Sequence, residues 1–324
     1  MFNFSDLIIQ NVKMKKSHVV VGIDPDINRI PLFYLKEAES LYGVSSQGAA
    51  HALLEFGKTV INTVKDYVAV VKLQSAYFEV YGAYGVATFW ELVSHAKNEG
   101  LIVIADAKRG DIGPTSRAYS ESFFGDKTNK WRDSNPTVDA LTINPYLGKD
   151  SIDPFYNSAI SLKKGLFILV KTSNDSSEDL QDKQLKSQLT VSETIAEWVN
   201  NYACDSIGEN GYSLIGAVVG ATHTKDILKF RKLMPNSIFL LPGYGAQGGK
   251  GENITNAFNP DGYGALISAS RSIIYSYNKV EIKTEHQIKK CITDAVRNMN
   301  NDINDALLRE NKLKWKAEAL NSRH

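Results

Sequence analysis

LIVIADAKRGDIG, residues 101–113, is the stretch that decides the fold. Its first five residues form a continuous apolar run, which is typical of a strand that is buried on both faces. Charged residues follow at once, among them Asp106, Lys108 and, beyond a glycine where the chain can turn, Asp111. An apolar strand that ends in charged residues predicts a parallel strand with a functional site at its C-terminal end.

Similar apolar runs recur along the chain, and each is followed by a segment with helix-like apolar spacing. Eight such βα units in series predict a (β/α)8 barrel, the TIM barrel of the α/β class. The predicted strands are residues 18–23, 68–73, 101–105, 138–143, 166–170, 214–219, 237–241 and 264–269.

A doubly wound open sheet is the alternative fold for this pattern. The length of 324 residues alone suggests two domains. Eight units fill about 250 residues without a break in composition, however, and that size favours one closed barrel. We therefore predict a single domain over residues 1–324, with the barrel core at about 18–308.

Two polar stretches and the C-terminus lie outside the repeating pattern. Residues 125–136 and 174–188 are rich in charged and polar side chains, which predicts loop insertions. Helical spacing of Ile288, Ile292, Val296, Met299 and Ile303, which also takes in Cys291 and Ala295, predicts the helix that closes the barrel. The charged remainder, residues 309–324, is expected to be a solvated helical tail.

Composition excludes several classes of protein. Lys plus Arg total 37 and Asp plus Glu total 36, so the net charge of +1 gives no general attraction to nucleic acid or to an anionic membrane. Cys204 and Cys291 show no CxxC or His-ligand pattern, which indicates neither a disulfide framework nor a zinc site. In residues 1–16 the lysines follow the apolar stretch, the wrong order for a secretory signal. We expect a cytoplasmic protein.

Polar and charged residues stand where most of the predicted strands end. In a barrel of this kind reactive groups lie at the C-terminal ends of the strands, because those ends face one common opening. A barrel with only a structural role would not need so many polar groups there. The strand-end residues are Asp24, Lys72, Asp106, Lys108, Asn144, Lys171, Thr172, Ser173, Pro242 and Arg271.

The charged run after the third strand has two interpretations. A surface ion-pair cluster in a βα loop is the simpler one. Lys72, however, ends a different predicted strand, where an unpaired buried ammonium group would be costly. A barrel brings the two strand ends together, and this predicts an alternating array of Lys72, Asp106, Lys108 and Asp111.

Six segments in this order resemble the orotidine 5'-phosphate decarboxylase family, in its longer, type 2 form. The Asp-Lys-Asp spacing alone also occurs in related phosphosugar barrels, whereas all six segments in order are highly specific. They are GIDPD (22–26), VKLQ (71–74), DAKRGDIG (106–113), VKTSN (170–174), PGYGAQ (242–247) and SR (270–271).

The resemblance implies that the chain converts orotidine 5'-monophosphate to UMP and CO2 in de novo pyrimidine biosynthesis. It implies that Lys72, Asp106, Lys108 and Asp111 are the catalytic residues, with Asp111 contributed to the neighbouring subunit's site in a homodimer. No metal and no organic cofactor are used in the family.

The resemblance also implies a set of substrate contacts. Asp24, Thr115 and Lys72 correspond to residues that hold the ribose hydroxyls, and Ser173 to the one that binds the pyrimidine, with Gln74 beside it. Gln247 and Arg271 correspond to phosphate ligands, and the loop 243–258 to a segment that closes over the substrate. Pro242 belongs to the same strand-end motif.

Two motifs point elsewhere and are discounted. Residues 243–248 match GxGxxG, but they follow the seventh strand, and no acidic residue ends a following strand at the distance a dinucleotide site requires. His223 could be a general base at a strand end, yet Thr222 and Thr224 beside it fit a helix-capping loop better.

Two other functions remain open from the sequence. A related phosphosugar barrel would use a metal-held enediolate, which needs an acidic ligand at the end of the second strand, where this chain has Lys72. The second alternative function is that of a barrel that binds a ligand without catalysing a reaction. The complete charged array argues against it.

Overall fold

Each of the eight predicted apolar runs forms a strand, and all eight strands are parallel. Strand β1 pairs with β2 and so on to β8, which pairs with β1 and closes the barrel. The computed structural model describes residues 3–126, 128–131, 136–222, 224–245, 254–277 and 282–315. The strands are β1 (Val19–Ile23), β2 (Val70–Gln74), β3 (Ile102–Arg109), β4 (Ala140–Ile143), β5 (Gly165–Lys171), β6 (Ser213–Val219), β7 (Ser237–Leu241) and β8 (Ala265–Ala269).

Helices cover the outside of the barrel, so almost every strand residue is buried on both faces, as the apolar runs predict. This confirms the predicted (β/α)8 barrel. The helices are α1 (Phe4–Lys15), α2 (Leu32–Tyr42), α3 (Ser46–Val64), α4 (Ala76–Glu79), α5 (Gly82–Asn98), α6 (Gly113–Phe124), α7 (Lys149–Leu162), α8 (Val191–Cys204), α9 (Thr224–Leu233), α10 (Arg271–Ile274) and α11 (Glu285–Arg309).

Helix α1 packs against the N-terminal ends of the strands. The ring of Phe4 meets the ring of Phe167 edge-on, with centroids 6.0 Å apart, beside the start of β5. The Asp6 carboxylate accepts hydrogen bonds from the backbone N–H groups of Glu209 and Asn210. With this end packed by α1, the opposite, C-terminal end is left for the site.

Helix α11 is the predicted closing helix. Thr284 and Gln287 form a capping box at its N-terminus, which satisfies backbone donors that would otherwise lack partners. Ile288, Ile292 and Val296 are buried against the barrel, whereas Cys291 and Ala295 of the predicted apolar stripe are partly exposed. Both cysteines are free thiols.

The predicted solvated helical tail is wrong for residues 310–314, which are not helical, and Trp315 is buried rather than solvated. The helix ends at Arg309, and the chain turns back instead of continuing as a helix. Leu313 and Trp315 are buried, and the Trp315 ring lies 5.1 Å from that of His18, at the start of the barrel. Burial of these two apolar side chains, together with hydrogen bonds from Nζ of Lys312 to the carbonyl groups of Thr255 and Phe258, holds this segment against the protein. Residues 316–324 lie outside the described part of the chain.

The two polar insertions are loops, as predicted. The first, 125–136, is described except for residues 127 and 132–135, and its Trp131 is exposed. The second, 174–188, contains a short 3-10 helix, Asp175–Asp179, and is mostly exposed. None of the described helices is long and apolar enough to cross a membrane.

Candidate active site

A cavity of about 190 Å³ opens at the C-terminal ends of the strands. It is the point at which the predicted strand-end residues converge, because parallel strands of a closed barrel end at a common face. Residues of six strand ends meet there, those of β1, β2, β3, β5, β7 and β8. The predicted site residues that line it are Asp24, Lys72, Gln74, Asp106, Ser173, Pro242 and Arg271.

Asp106 is the centre of the charged array. The Nζ atom of Lys72 lies 2.6 Å from Oδ2 of Asp106, and the Nζ atom of Lys108 lies 2.6 Å from Oδ1. Each carboxylate oxygen therefore accepts a charge-assisted hydrogen bond from a different ammonium group. The three side chains form the alternating order of charge that the sequence predicts.

The two lysines differ in exposure. The side chain of Lys72 is only 7% exposed, whereas that of Lys108 is 45% exposed. Lys72 is thus fixed in the wall of the cavity, whereas Lys108, which pairs with Asp106, is open to solvent.

Both buried groups of this array are held in their charged forms. Burial opposes ionisation of Asp106, but the ammonium groups of Lys72 and Lys108 outweigh it, so the pKa of this carboxyl lies well below its ordinary value. Burial likewise opposes protonation of Lys72, but Asp106 and then Asp24 outweigh it and raise the pKa of Lys72.

Thr142 of β4 is a member of the site that the sequence analysis missed. Its Oγ1 donates to Oδ1 of Asp106 at 3.0 Å and accepts from the backbone N–H of Lys108, also at 3.0 Å. One hydroxyl therefore fixes both the carboxylate and the backbone of the lysine that pairs with it. The signal in the sequence is a single polar residue within the apolar run Leu141-Thr142-Ile143, which is a weak one.

The backbone of Lys108 is in the left-handed region, with φ of +46°. The register between β3 and β4 also shifts between Ala105 and Arg109, so regular strand geometry does not persist through the array. A non-glycine residue in this conformation costs about 1 kcal/mol or more and persists only where surrounding contacts hold it. The hydrogen bond from Lys108 to Thr142 is one such contact.

Asp111 and Thr115 do not line this cavity. Asp111 is partly exposed, and its Oδ1 accepts from the backbone N–H of Ile112 at 2.8 Å. Thr115 is exposed on the first turn of α6. Of the four predicted catalytic residues, Lys72 and Asp106 line the cavity of one chain and Lys108 pairs with Asp106, whereas Asp111 does not line the cavity.

Three of the predicted substrate contacts, Ser173, Asp24 and Arg271, lie at strand ends around the cavity. A Cβ atom at Gly220 would lie 2.9 Å from Cα of Ser173, so the end of β6 can approach Ser173 only as glycine. Asp24, which ends β1, has its Oδ1 atom buried without a hydrogen-bond partner among the described residues. Arg271 is exposed at the start of α10, next to the cavity.

The end of β5 is tied to the second polar insertion. Lys171 is fully buried and pairs with Asp182 of that loop. Gln181 accepts from the backbone N–H of Thr172 at 2.9 Å and donates to its Oγ1 at 2.7 Å. Lys171 and Thr172 thus anchor the loop, and Ser173 is the residue of this strand end that reaches the cavity.

The remaining predicted strand-end residue, Asn144, is exposed, and its side chain accepts from the backbone N–H of Tyr146. Gln247 and His223 lie outside the described residues, as do 246–253 of the predicted closing loop. Gly243 and Gly245, at the start of that loop, both have positive φ. Among the described residues, no group of three His, Cys, Asp or Glu side chains is arranged to bind a metal ion.

The sequence is similar to those of known enzymes. Residues 36–284 match the family model described as orotidine 5'-phosphate decarboxylase / HUMPS family. The orotidine 5'-phosphate decarboxylase of Caldicellulosiruptor bescii is 37% identical over 310 residues, 95% of this chain and 100% of that protein. The one from Rhodopirellula baltica is 36% identical over 308 residues, 95% of this chain and 99% of that protein.

A solved structure gives the same result. The structure of Leishmania donovani OMP decarboxylase superposes with a TM-score of 0.67 at 28% identity and covers 92% of this chain and 99% of that one. Fold and site together define a barrel enzyme with a charged cavity at the C-terminal ends of its strands. The chain belongs to the orotidine 5'-phosphate decarboxylase family, a family of carboxy-lyases.

Proposed function

We propose that this chain decarboxylates orotidine 5'-monophosphate to UMP and CO2, as its relatives are named to do. The observation that carries the proposal is the pairing of Asp106, which lines the cavity with Lys72, with both Lys72 and Lys108 at 2.6 Å. The reaction needs a fixed cation and a proton at one ring carbon, and Lys108 can supply both.

The chemical step follows from that geometry. The bond from the pyrimidine ring to its carboxylate breaks, CO2 leaves, and the electron pair stays on the ring carbon. The ring delocalises this pair poorly, so a preorganised positive charge lowers the barrier. Lys108 then transfers one proton from its ammonium group to that carbon and is reprotonated by solvent. The side chain of Lys108 is 45% exposed, so it can exchange protons with solvent as well as with the substrate.

Asp106 and Lys72 set up this step. Asp106 is ionised and positions Lys108 through a charge-assisted hydrogen bond. Its negative charge would also face the substrate carboxylate, which disfavours the ground state relative to the transition state. Lys72 offsets the charge of Asp106 from the other side, so the buried carboxylate remains paired throughout.

Binding groups at the rim would hold the rest of the nucleotide. The guanidinium of Arg271 can donate two parallel hydrogen bonds to a phosphate. Asp24 suits the ribose hydroxyls, Ser173 with Gln74 suits the pyrimidine edge, and all four residues line the cavity. Binding energy from the distant phosphate can then drive orientation and closure at the reacting carbon.

A metal-dependent phosphosugar barrel is the second candidate, and Lys72 weighs against it. Asp106 and Asp24 keep this buried lysine protonated, and its positive charge would repel Mg²⁺ at the strand end where such enzymes need an acidic ligand. A spectrophotometric assay of orotidine 5'-monophosphate with EDTA present separates the two. Undiminished loss of substrate absorbance supports the proposal, whereas activity lost to EDTA and restored by Mg²⁺ supports the metal enzyme.

The same assay also distinguishes an enzyme from a ligand-binding barrel that has no catalytic activity. UMP would bind to it, but the orotidine nucleotide would not be consumed. The intact array of Lys72, Asp106 and Lys108, with Asp106 held ionised, is an arrangement that simple binding of UMP does not require.

We further propose a homodimer in which Asp111 enters the partner's site. Asp111 does not line the cavity of its own chain. Large apolar side chains are exposed after β2, β3 and β4, on the same side of the barrel mouth, and a second copy would cover them. They are Tyr77, Val80, Tyr84, Ile112, Tyr146 and Leu147.

Mixing two inactive variants tests this arrangement. Lys108→Ala and Asp111→Ala subunits should together form mixed dimers in which one site has both groups intact. Equal amounts, unfolded and refolded together, should regain about a quarter of the native activity, since half of the dimers are mixed and each has one intact site. No recovery in a mixture shown to contain mixed dimers would place Asp111 in the site of its own chain.

Finally, we propose a cytoplasmic location. Both cysteines are free, and Cys204 is exposed, which fits a reducing compartment.

A further inference from the structure

Ser270 is a cavity residue to which neither the sequence nor the proposed mechanism assigns a role. It follows β8 directly and lines the cavity beside Arg271. Its Oγ atom is buried and has no hydrogen-bond partner among the described residues. Buried polar atoms are nearly always paired, so an unpaired one at the wall of a cavity calls for an explanation.

Helix capping does not explain Ser270. A serine just before a helix usually accepts a hydrogen bond from a backbone N–H of the first turn. Ser270 occupies the N-cap position of α10, but its side chain makes no such bond. The hydroxyl is therefore available to something other than the protein backbone.

Asp24 offers a second unpaired oxygen at the same place. Its Oδ1 atom is also buried and has no partner among the described residues. Both oxygens crowd one position, because a Cβ atom at Gly22 would lie 2.0 Å from Oγ of Ser270 and 3.3 Å from Oδ1 of Asp24. Glycine at position 22 thus leaves the space that the Ser270 hydroxyl occupies, and it brings this hydroxyl close to the unpaired oxygen of Asp24.

The chemistry of this pair selects the ligand group. An ionised carboxylate only accepts hydrogen bonds, whereas a serine hydroxyl can donate one. A ligand hydroxyl satisfies both, since it can donate to Asp24 and accept from Ser270. A phosphate oxygen does not fit, because the Asp24 carboxylate would repel its negative charge.

We propose that Ser270 is a specificity-determining residue that donates a hydrogen bond to a ribose hydroxyl of the nucleotide, the hydroxyl that donates to Asp24. The inference rests on the proposed function, because it takes the nucleotide as the ligand. It adds to the site a residue that recognises the sugar.

Competitive inhibition of decarboxylation tests this proposal with four ligands: UMP, 2'-deoxy-UMP, 3'-deoxy-UMP and uridine. Ser270→Ala should weaken inhibition by UMP about tenfold, the loss of one buried hydrogen bond. It should weaken inhibition by one of the two deoxynucleotides less than twofold, since that analogue lacks the hydroxyl that Ser270 would bind. Uridine should lose affinity by the same factor as UMP, because the phosphate is not involved.

Ser237→Ala is the matched control. Ser237 begins β7 at the opposite end of the barrel, and its hydroxyl is also buried without a partner among the described residues. This variant should leave all four inhibition constants unchanged.

The outcomes distinguish a failure of the proposed function from a failure of the proposed role of Ser270. If the native protein does not consume orotidine 5'-monophosphate, the proposed function fails. If the native protein does so and Ser270→Ala weakens UMP and both deoxynucleotides equally, the inference about Ser270 is overturned while the function stands. A loss confined to phosphorylated ligands, with uridine unchanged, also overturns it and assigns Ser270 to the phosphate.

Discussion

Lys72 and Asp106 form a buried ion pair, with Nζ of the lysine 2.6 Å from Oδ2 of the aspartate and each side chain at most 10% exposed. Removing two charges from water is costly, and a single pair seldom repays that cost by stability alone. Here the second oxygen of Asp106 binds Lys108, so the pair holds an ionised carboxylate next to a more exposed ammonium group. The cost is understandable if that geometry serves catalysis.

Thr142→Val tests whether the threonine positions this array. The variant loses the hydrogen bonds to Asp106 and to the backbone of Lys108 but keeps the shape of the side chain. We expect kcat to fall about 10- to 100-fold, since a hydrogen bond to a charged group is worth roughly 1.5–3 kcal/mol, with KM little changed. Steady-state kinetics measure both constants.

Thr63→Val is the control for that variant. Thr63 is buried in α3, and its hydroxyl donates a hydrogen bond to the backbone carbonyl of Thr59 in the same helix. Its kcat should match the native value. A native kcat for Thr142→Val would show that Asp106 and Lys108 keep their positions without the threonine.

Arg271→Ala tests phosphate recognition. We expect KM to rise about 100-fold, because a bidentate charged contact is lost, with a smaller fall in kcat from incomplete closure. Affinity for UMP should fall by a similar factor while affinity for uridine stays unchanged. Arg297→Ala, on the outer helix α11, is the control. Equal losses for UMP and uridine would rule out a phosphate role for Arg271.

Asp182→Ala should destabilise the protein more than the removal of both partners. The variant leaves the buried ammonium group of Lys171 without its ion-pair partner, which typically costs about 3–5 kcal/mol. The double variant Lys171→Met with Asp182→Ala removes the buried charge as well and should recover much of that loss. Urea unfolding of Asp182→Ala, of Lys171→Met and of the double variant gives the three free energies of unfolding. If the two single losses simply add, the pair is not coupled.

His18 should make the protein less stable in mild acid. Burial lowers the pKa of His18 from 6.5 to about 3, against a smaller opposing effect of a backbone hydrogen bond with Ala265. Between these values the unfolded chain binds a proton at His18 that the folded protein does not. Stability is therefore fully present above pH 6.5 and falls as the pH decreases toward 3.

His18→Phe removes that titration and keeps an aromatic ring beside Trp315 and Phe258. Between pH 6.5 and pH 4 the native protein should lose on the order of 3 kcal/mol more of its free energy of unfolding than the variant. His286→Gln, at an exposed position, is the control and should follow the native curve. Parallel curves for His18→Phe and the native protein would contradict this account.

The sequence predicts the barrel well because strands that are buried on both faces must be continuous apolar runs, such as Leu166–Val170. It predicts three members of the charged array, Lys72, Asp106 and Lys108, because each lies at the C-terminal end of a strand, whereas Asp111 lies beyond β3 and outside the cavity. Thr142 escapes prediction, since one hydroxyl inside an apolar run shows no spacing. The pairing of Lys171 with Asp182 joins a strand to a polar loop, and no local pattern reports such a contact.

The burial of the C-terminal segment could not be predicted from its composition. Charge dominates the composition after Arg309, so the pattern favours a solvated tail. Leu313 and Trp315 are nevertheless buried, and the Trp315 ring lies against that of His18. A few large apolar groups outweigh many exposed charges, which lose little by remaining in water.

The most direct test of the central claim is the turnover of orotidine 5'-monophosphate by Lys108→Ala, with circular dichroism to show that the variant is folded. Lys108 is proposed to supply both the cation and the proton, so its loss should slow decarboxylation by at least about 10⁴-fold while the fold is retained. A folded variant with a rate within tenfold of the native enzyme would contradict the account.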